Sequence, residues 1–318
     1  MQDKASSGDA RIVVLGTGGT LAGTADRADD NVGYRAAQLG IGELLARIPA
    51  LAGLQLQAEQ VAQIDSKDMG YAVWRHLAGR VAYHVERSDV AGVVITHGTD
   101  TLEETAYLLQ RVLSPDKPVV LTAAMRPATA LLSDGPQNIV DALAVARHPG
   151  ARGVVAVLAG SIHSGLDVRK LHTYRVDAFG SGDAGALGVV QEGRLTLWRR
   201  WPQGEALGLA RLSPARPPRV AIVTSHADAD GGIVDALRAH GIDGIVVAGT
   251  GNGTLHEGLA GALRRARDEG GVQVLRATRV AAGAVVPTGR DEFEPAGALT
   301  PAQARVELML RLLAHPGA

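Results

Sequence analysis

Cysteine is absent from the 318-residue chain, so disulfides, thiolate metal centres and cysteine nucleophiles are excluded. That absence permits a reducing compartment without requiring one. No sign of charge dominates either: 32 basic residues face 33 acidic ones, a formal net charge of -1. This balance supplies no polycation for nucleic acid and no basic face for a membrane, so a small-molecule ligand is expected. No run of about 18 apolar residues occurs, and no transmembrane span is expected. The first ten residues, MQDKASSGDA, are polar and small without an apolar centre, and so carry no secretory signal. A cytoplasmic location is expected. A mature periplasmic chain with its signal removed would look the same, and stands as the alternative.

What is present is an alternation of apolar β-branched runs with helical periods, the pattern of parallel sheets flanked by helices. The length suits two domains. We expect two α/β domains with mainly parallel sheets: a larger N-terminal one over 1–200, a linker over 201–218 and a smaller C-terminal one over 219–318. The linker lies in the tract from Gly193 to Arg219, which holds Pro202, Pro214, Pro217 and Pro218. Strands are expected at Leu54 to Ile64, Val90 to Thr96, Lys117 to Thr122, Gly153 to Ala159, Arg219 to Thr224, Gly244 to Ala248 and Val272 to Ala277. A helix follows Asp68 with Trp74, Leu77, Ala78, Val81 and Val85 at helical spacing. The last helix has Thr300, Pro301 and Gln303 in the arrangement of a capping box. Two tracts lack a regular period, Thr24 to Gly42 with Tyr34, and Gly160 to Gly185 with Lys170. Such tracts in a compact domain cover sites or form interfaces.

Two loops stand out. Arg11 to Gly23, RIVVLGTGGTLAG, is an apolar strand emptying into a turn with Thr17, Gly18, Gly19 and Thr20. The strand ending at Thr96 opens into His97, Gly98, Thr99 and Asp100, just before a helix with Leu102, Ala106, Leu109 and Leu113 on one face. Backbone donors and the positive end of a helix dipole converge at such a point. Plain structural readings compete. The first loop can be a simple strand-to-loop turn, Ser66 can cap the helix that follows it, and Asp100 with Glu103, or Thr101 with Glu104, fits a capping box.

Several familiar sites are excluded by spacing. A dinucleotide fingerprint starting at Gly16 and Gly18 would need glycine where Leu21 stands, and GSIHSG at 160–165 lacks the central serine of a hydrolase elbow. His256 and Glu257 begin like a zincin helix, but Ala260 occupies the place of the second histidine. The remaining histidines read as surface or capping residues, and no metal is expected. What survives is a hydroxyl, amide donors and a carboxylate, the equipment for acyl transfer. A threonine hydroxyl needs activation, and Tyr34 and Lys170 are the available helpers.

TGGTLAG at 17–23 and VITHGTDTLEETAYLL at 94–109 closely resemble the two signatures of the bacterial L-asparaginase and glutaminase-asparaginase family. The resemblance runs on through DSKDM at 65–69, AAMRP at 123–127, DVRK at 167–170, GNG at 251–253 and RV at 279–280. It implies a catalytic set of Thr20 as nucleophile, Tyr34 beside it on a flap, and Thr99, Asp100 and Lys170 as a second group. It implies that Asp100 receives the substrate's α-ammonium and Ser66, beside Asp65, its α-carboxylate. The Ala124 carbonyl would meet the amide nitrogen, and N–H groups near Gly19 and Thr99 would hold the oxyanion. The implied reaction converts L-asparagine, and in some members L-glutamine, to the acid and ammonia through an acyl-enzyme, with no cofactor. The implied assembly is a homotetramer, a dimer of dimers, in which Asn252 and Thr254 reach a neighbouring subunit's site.

Three positions depart from the family pattern. Lys67 stands in place of a common glutamine, and Thr254 in place of an asparagine. The segment around Arg290 is shorter than usual, leaving Glu292, Glu294 or neither to replace a partner-chain glutamate. A reading of a different class is a non-catalytic module that holds an amino acid through Asp100 and Ser66. Ammonia release separates the two.

Overall fold

The structure is a computed structural model that describes residues 10–314. The segment read for a secretory signal lies outside them, save its last residue. The chain forms two compact α/β units that divide between Leu209 and Ala210.

The first unit contains β1 (Arg11–Gly18), α1 (Ile41–Ala46), β2 (Leu56–Ile64), α2 (Tyr71–Glu86), β3 (Val90–Thr96), α3 (Leu102–Leu113), β4 (Pro118–Thr122), α4 (Gly135–Arg147) and β5 (Gly153–Leu158). The short strands β6 (Ser161–Ser164), β7 (Arg169–Lys170), β8 (Phe179–Gly180), β9 (Gly188–Gln191) and β10 (Arg194–Leu197) follow. Eight strands make one sheet in the order β10-β9-β6-β5-β4-β3-β1-β2. Pairing from β2 through β1, β3 and β4 to β5 is parallel, whereas β6, β9 and β10 extend the sheet antiparallel.

Both faces of the parallel strands are covered, so these strands read as continuous apolar runs. Along β1, alternation sends Ile12 and Val14 into a core with Leu44 of α1 and Ile139 and Leu143 of α4. Val13 and Leu15 point to the opposite face, where α2 packs on β3 and α3 on β5. Leu77, Ala78 and Val81 of α2 are fully buried, and Val85 is half-buried where the helix leaves the sheet. The chain leaves β1 toward the edge strand β2 and returns on the other side of β1 to form β3. The strand order therefore reverses between β1 and β3, and the crevice beyond their carboxyl ends is where open α/β sheets bind ligands.

The expectation of two units with mainly parallel sheets, the first larger, holds. The antiparallel strands were not anticipated. The tract 160–185 begins with β6, whose four residues SIHS carry little β-branched signal, and contains the two-residue hairpin β7–β8. Part of the proline-rich tract is also structured. Beyond β10, the N–H groups of Leu207 and Gly208 donate to the carbonyls of Arg111 and Val112, and Ser114 Oγ donates to Gly204 O. Proline removes donors and helical continuity, but the neighbouring residues still pair with α3.

The second unit holds β11 (Val220–Thr224), α5 (Gly232–Ala239), β12 (Gly244–Gly249), α6 (Glu257–Gly270), β13 (Gln273–Thr278), β14 (Glu294–Pro295) and α7 (Pro301–Leu312). Its four strands are parallel in the order β11-β12-β13-β14. The capping box at Thr300 and Gln303 forms as expected.

Candidate active site

The two threonine turns lie at the carboxyl ends of adjacent strands. Thr17 Oγ1 donates to Thr96 O at 2.9 Å, stitching the end of β1 to the end of β3. Gly18 and Gly19 then turn the chain with φ of 105° and 81°, a region that L side chains rarely occupy. A Cβ on Gly19 would lie 2.5 Å from Gly98 N, and one on Gly98 would lie 2.7 Å from Ser66 Cβ. Only glycine at both positions lets the turns and Ser66 close on one point.

Thr20 opens a short 3₁₀ turn, Thr20–Ala22, and is only 7% exposed. Its hydroxyl lies 2.6 Å from the Tyr34 hydroxyl, and either oxygen can be the donor. Burial pushes the Tyr34 phenol above the ordinary tyrosine value, opposed by the Thr20 hydrogen bond, while Asp65 and Asp100 raise it further and Lys67 lowers it. The phenol therefore keeps its proton at neutral pH. Gly19 N–H is spent on Ile64 O at 2.9 Å, whereas the N–H groups of Thr20 and Thr99 meet no protein acceptor among the described residues. Of the N–H groups near Gly19 and Thr99 expected to hold an oxyanion, those of Thr20 and Thr99 are therefore available, while Gly19 N–H itself is bonded.

Around Thr99, Lys170 Nζ donates to Thr99 Oγ1 at 2.9 Å and to Asp100 Oδ1 at 2.7 Å. Glu103, expected as the partner of Asp100 in a capping box, instead accepts Lys170 N–H at 2.8 Å and so fixes the strand that presents the ammonium. The cap of α3 is Thr101, with no side-chain cap bond, and the Thr101 hydroxyl donates to Ser66 O at 2.8 Å. Asp100 and Thr101 therefore serve neither half of a capping box. Ser66 is not the cap of α2 either, since Gly70 holds that place. Buried to 2% exposure, its hydroxyl accepts Asp100 N–H at 3.2 Å and joins the two loops. Beside it, Asp65 accepts from Lys67 Nζ at 2.7 Å, and Asp68 lies 3.3 Å from the same ammonium.

Ala124 is fully buried after β4. Asp134 accepts the N–H groups of Met125 and Arg126 at 3.0 and 2.9 Å, and Asn138 Nδ2 donates to Ala123 O at 2.9 Å. These bonds leave the Ala124 carbonyl without a donor among the described residues.

Three histidines read as surface or capping residues are instead buried: His84, His97 and His163. Only His256 of those singled out does cap, accepting Gly258 N–H. His97 stands in a buried chain: Trp74 Nε1 donates to Thr105 Oγ1 at 2.9 Å, Thr105 Oγ1 lies 2.9 Å from His97 Nε2, and His97 Nδ1 lies 2.7 Å from Gly98 O. With the threonine donating to Nε2, the ring is neutral and donates from Nδ1 to the carbonyl of the peptide whose N–H belongs to Thr99. Burial lowers the His97 pKa to about 4. Trp74 and Thr105 sit on separate helices, and nothing local in the sequence marks their partnership with His97.

In the second unit, the Asn252 amide pairs with the Val286 backbone, donating one N–H to its carbonyl at 3.0 Å and accepting its N–H at 2.8 Å. Thr254 Oγ1 lies 2.8 Å from Thr250 Oγ1. Glu292 pairs with Arg264 at 2.6 Å and Glu294 with Arg311 at 2.7 Å. No group of three or more His, Asp or Glu residues suited to a metal occurs among the described residues, and none of their helices is long and apolar enough to cross a membrane.

This arrangement offers a buried hydroxyl against a protonated phenol, with a lysine-held threonine and carboxylate in the adjoining turn. The chain is 37% identical over 317 residues to a glutaminase-asparaginase of Pseudomonas fluorescens biotype A, covering 95% of this chain and 86% of the relative. It is 37% identical over 313 residues to L-asparaginase 2 of Escherichia coli K12, covering 95% and 88%. The crystal structure of a probable cytoplasmic L-asparaginase from Campylobacter jejuni superposes with a TM-score of 0.90 at 38% identity, covering 95% of both chains. Residues 11–203 match the asparaginase N-terminal family model and residues 219–316 the glutaminase/asparaginase C-terminal domain, and the chain belongs to the asparaginase family.

Proposed function

We propose that the protein hydrolyses L-asparagine to L-aspartate and ammonia through an ester on Thr20. The observation that carries this reading is the pair of contacts in adjoining turns, Thr20 Oγ1 with Tyr34 OH at 2.6 Å and Lys170 Nζ with Thr99 Oγ1 at 2.9 Å. The Thr20 oxygen attacks the side-chain amide carbon while its proton goes to the Tyr34 hydroxyl, which passes its own proton on to the amide nitrogen. The N–H groups of Thr20 and Thr99 hold the oxyanion, in a site where fixed donors need not reorganise. The C–N bond breaks as the nitrogen takes a proton, and ammonia departs. Water, oriented by the Thr99 hydroxyl that the Lys170 ammonium holds, then attacks the ester carbon, and the proton it loses returns through the Tyr34 hydroxyl to the Thr20 oxygen as the C–O bond breaks.

Charge complementarity supports the binding roles. The Asp100 carboxylate suits the α-ammonium, Ser66 and the neighbouring Asp65–Lys67 pair flank the α-carboxylate, and the Ala124 carbonyl accepts from the departing amide nitrogen. Glutamine hydrolysis is the near alternative, favoured by the name of the Pseudomonas relative. Our reading extends to a homotetramer in which a neighbouring subunit's Asn252 and Thr254 complete the rim, and to a cytoplasmic location, as the Campylobacter protein is a probable cytoplasmic L-asparaginase.

The test is ammonia release from both amides with wild type and Thr20→Ala, together with peptide mass mapping of rapidly quenched enzyme. Wild-type turnover, an inert variant and an added aspartyl mass on a peptide containing Thr20 are expected. A wild type that binds asparagine without releasing ammonia overturns the reading, and a larger specificity constant for glutamine reverses the order of substrates.

A further inference from the structure

Tyr34 and Lys170 reach the site from the two irregular tracts, and both tracts are fastened to the same short turn after β4. Pro127 keeps that turn out of a helix, and Asp134, bonded to the N–H groups of Met125 and Arg126 and to Asn138 Nδ2, makes it rigid. On one side the chain runs from Arg126 to the Tyr34 flap. Ala128 N–H donates to Gly23 O at 2.9 Å, Leu131 N–H to Ala28 O at 3.1 Å, and Ala25 N–H to Thr129 Oγ1 at 2.9 Å. On the other side the Arg126 guanidinium donates to Tyr174 O at 2.7 Å and lies 4.1 Å from the centre of the Tyr174 ring. Tyr174 is four residues beyond Lys170, and its own N–H is held by His172 Nδ1 at 3.0 Å. Among the described residues the guanidinium contacts two carbonyls and one aromatic face and pairs with no carboxylate, an arrangement that fixes direction as a bare charge cannot.

We propose that Arg126 is a positioning residue that sets the Lys170 hairpin and the Tyr34 flap in register with each other. A surface arginine satisfying a stray carbonyl is the plain reading. It explains neither why the guanidinium sits over the ring of a tyrosine that stays 47% exposed nor why the same six-residue stretch, Arg126 to Leu131, carries the flap contacts. The proposal rests on the catalytic reading of Tyr34 and Lys170 given above. A small displacement of such groups is enough to cost a large factor in rate.

The experiment combines asparagine kinetics with amide hydrogen exchange on Arg126→Met, which keeps the apolar stem, on Arg126→Lys, and on Tyr174→Phe, which keeps both the ring and the carbonyl. For Arg126→Met we expect kcat to fall about 10-fold or more with KM within about threefold, and exchange to rise in both 24–36 and 171–178. Arg126→Lys should recover part of the loss, and Tyr174→Phe should match wild type. Faster exchange confined to 171–178 overturns the shared strut, and faster exchange in both segments with unchanged kcat overturns the positioning role. Should Arg126→Met fail to fold, Tyr174→Gly, which removes the ring alone, must show the same two exchange changes or the proposal falls. Unchanged turnover in Tyr34→Phe and Lys170→Met would sink the catalytic reading instead, while leaving the exchange result standing.

Discussion

Gly19 packs against the backbone of Gly98 with no side chain between them, and this contact brings the turn carrying Thr20 against the turn carrying Thr99. The approach follows from topology, since β1 and β3 are parallel neighbours with Gly16 opposite Thr96. Each strand therefore delivers its first loop residues to the same end of the sheet. Glycine at the point of closest approach converts that adjacency into contact.

Gly98→Ala should damage the site more than the fold. Its Cβ would meet Ser66 Cβ at 2.7 Å, so either Ser66 or the Gly19 turn must move. Overpacking of this kind costs about 1–3 kcal/mol, which a domain of this size tolerates. Specific activity should fall by about two orders of magnitude, because both threonine turns are displaced. Thermal unfolding with steady-state kinetics checks it, and wild-type turnover would mean the turns can separate without consequence.

Tyr34→Phe removes the side-chain oxygen bonded to Thr20 while keeping the ring. A proton relay of this type contributes about 10²–10⁴-fold, so kcat should drop by that factor with KM nearly unchanged. Because burial raises the phenol's pKa, the wild-type rate should show no limb between pH 6 and pH 8 belonging to Tyr34. Its ionisation should register only in alkali. A large rise in KM at constant kcat would recast Tyr34 as a binding contact.

Lys170 and Asp100 form a pair at 2.7 Å, with Asp100 half exposed. Pairs open to solvent contribute about 0–1 kcal/mol, so Lys170→Met should leave the unfolding midpoint nearly in place. Turnover should fall sharply. Asp100→Ala should instead raise KM most, since its expected partner is the substrate's ammonium. Normal activity per folded molecule combined with a collapse in stability would return Asp100 to a structural role.

How much of this was visible beforehand depended on the range of each interaction. The alternation of strands and helices and the placement of Thr20 and Thr99 at strand ends are local properties, written within a dozen residues each. The capping box at Thr300 is local too. Glu103 carried a misleading local signal: its spacing from Asp100 fits a cap, and only the return of the chain 67 residues later offers it Lys170 N–H instead. The burial of His97 was invisible for the same reason, because it depends on Thr105 of α3 reaching the ring while Trp74 of α2 holds that threonine. The antiparallel strands β6, β9 and β10 are four residues each, too short for alternation to be read against noise.

The buried histidines also set the acid stability of the fold. Burial lowers His97 and His163 to about 4, against about 6.5 for the unfolded side chain. Above pH 6.5 both are neutral in either state and contribute no pH dependence. As pH falls from 6.5 toward 4 the unfolded chain takes up protons that the folded chain refuses, so stability is lost on acidification. Each group contributes at most about 1.4 kcal/mol per pH unit within that window. Glu59, held at about 2 chiefly by Arg80 and also by His84, loses its stabilising contribution only between its ordinary value near 4.5 and 2, and is separable at higher pH. Urea unfolding at pH 7, 6 and 5 should therefore show a decline that is shallower in His97→Gln, and shallower again when His163→Gln is added. His163 adds a discriminating detail, since its Nδ1 bonds Ser181 Oγ at 2.9 Å while its Nε2 meets no partner among the described residues. Replacing it removes a buried proton acceptor without touching the Thr20 or Thr99 turns, so the single His163→Gln variant should flatten the acid limb while keeping asparagine turnover at pH 7 near wild type. Equal slopes in wild type and the double variant would assign the acid sensitivity to other groups.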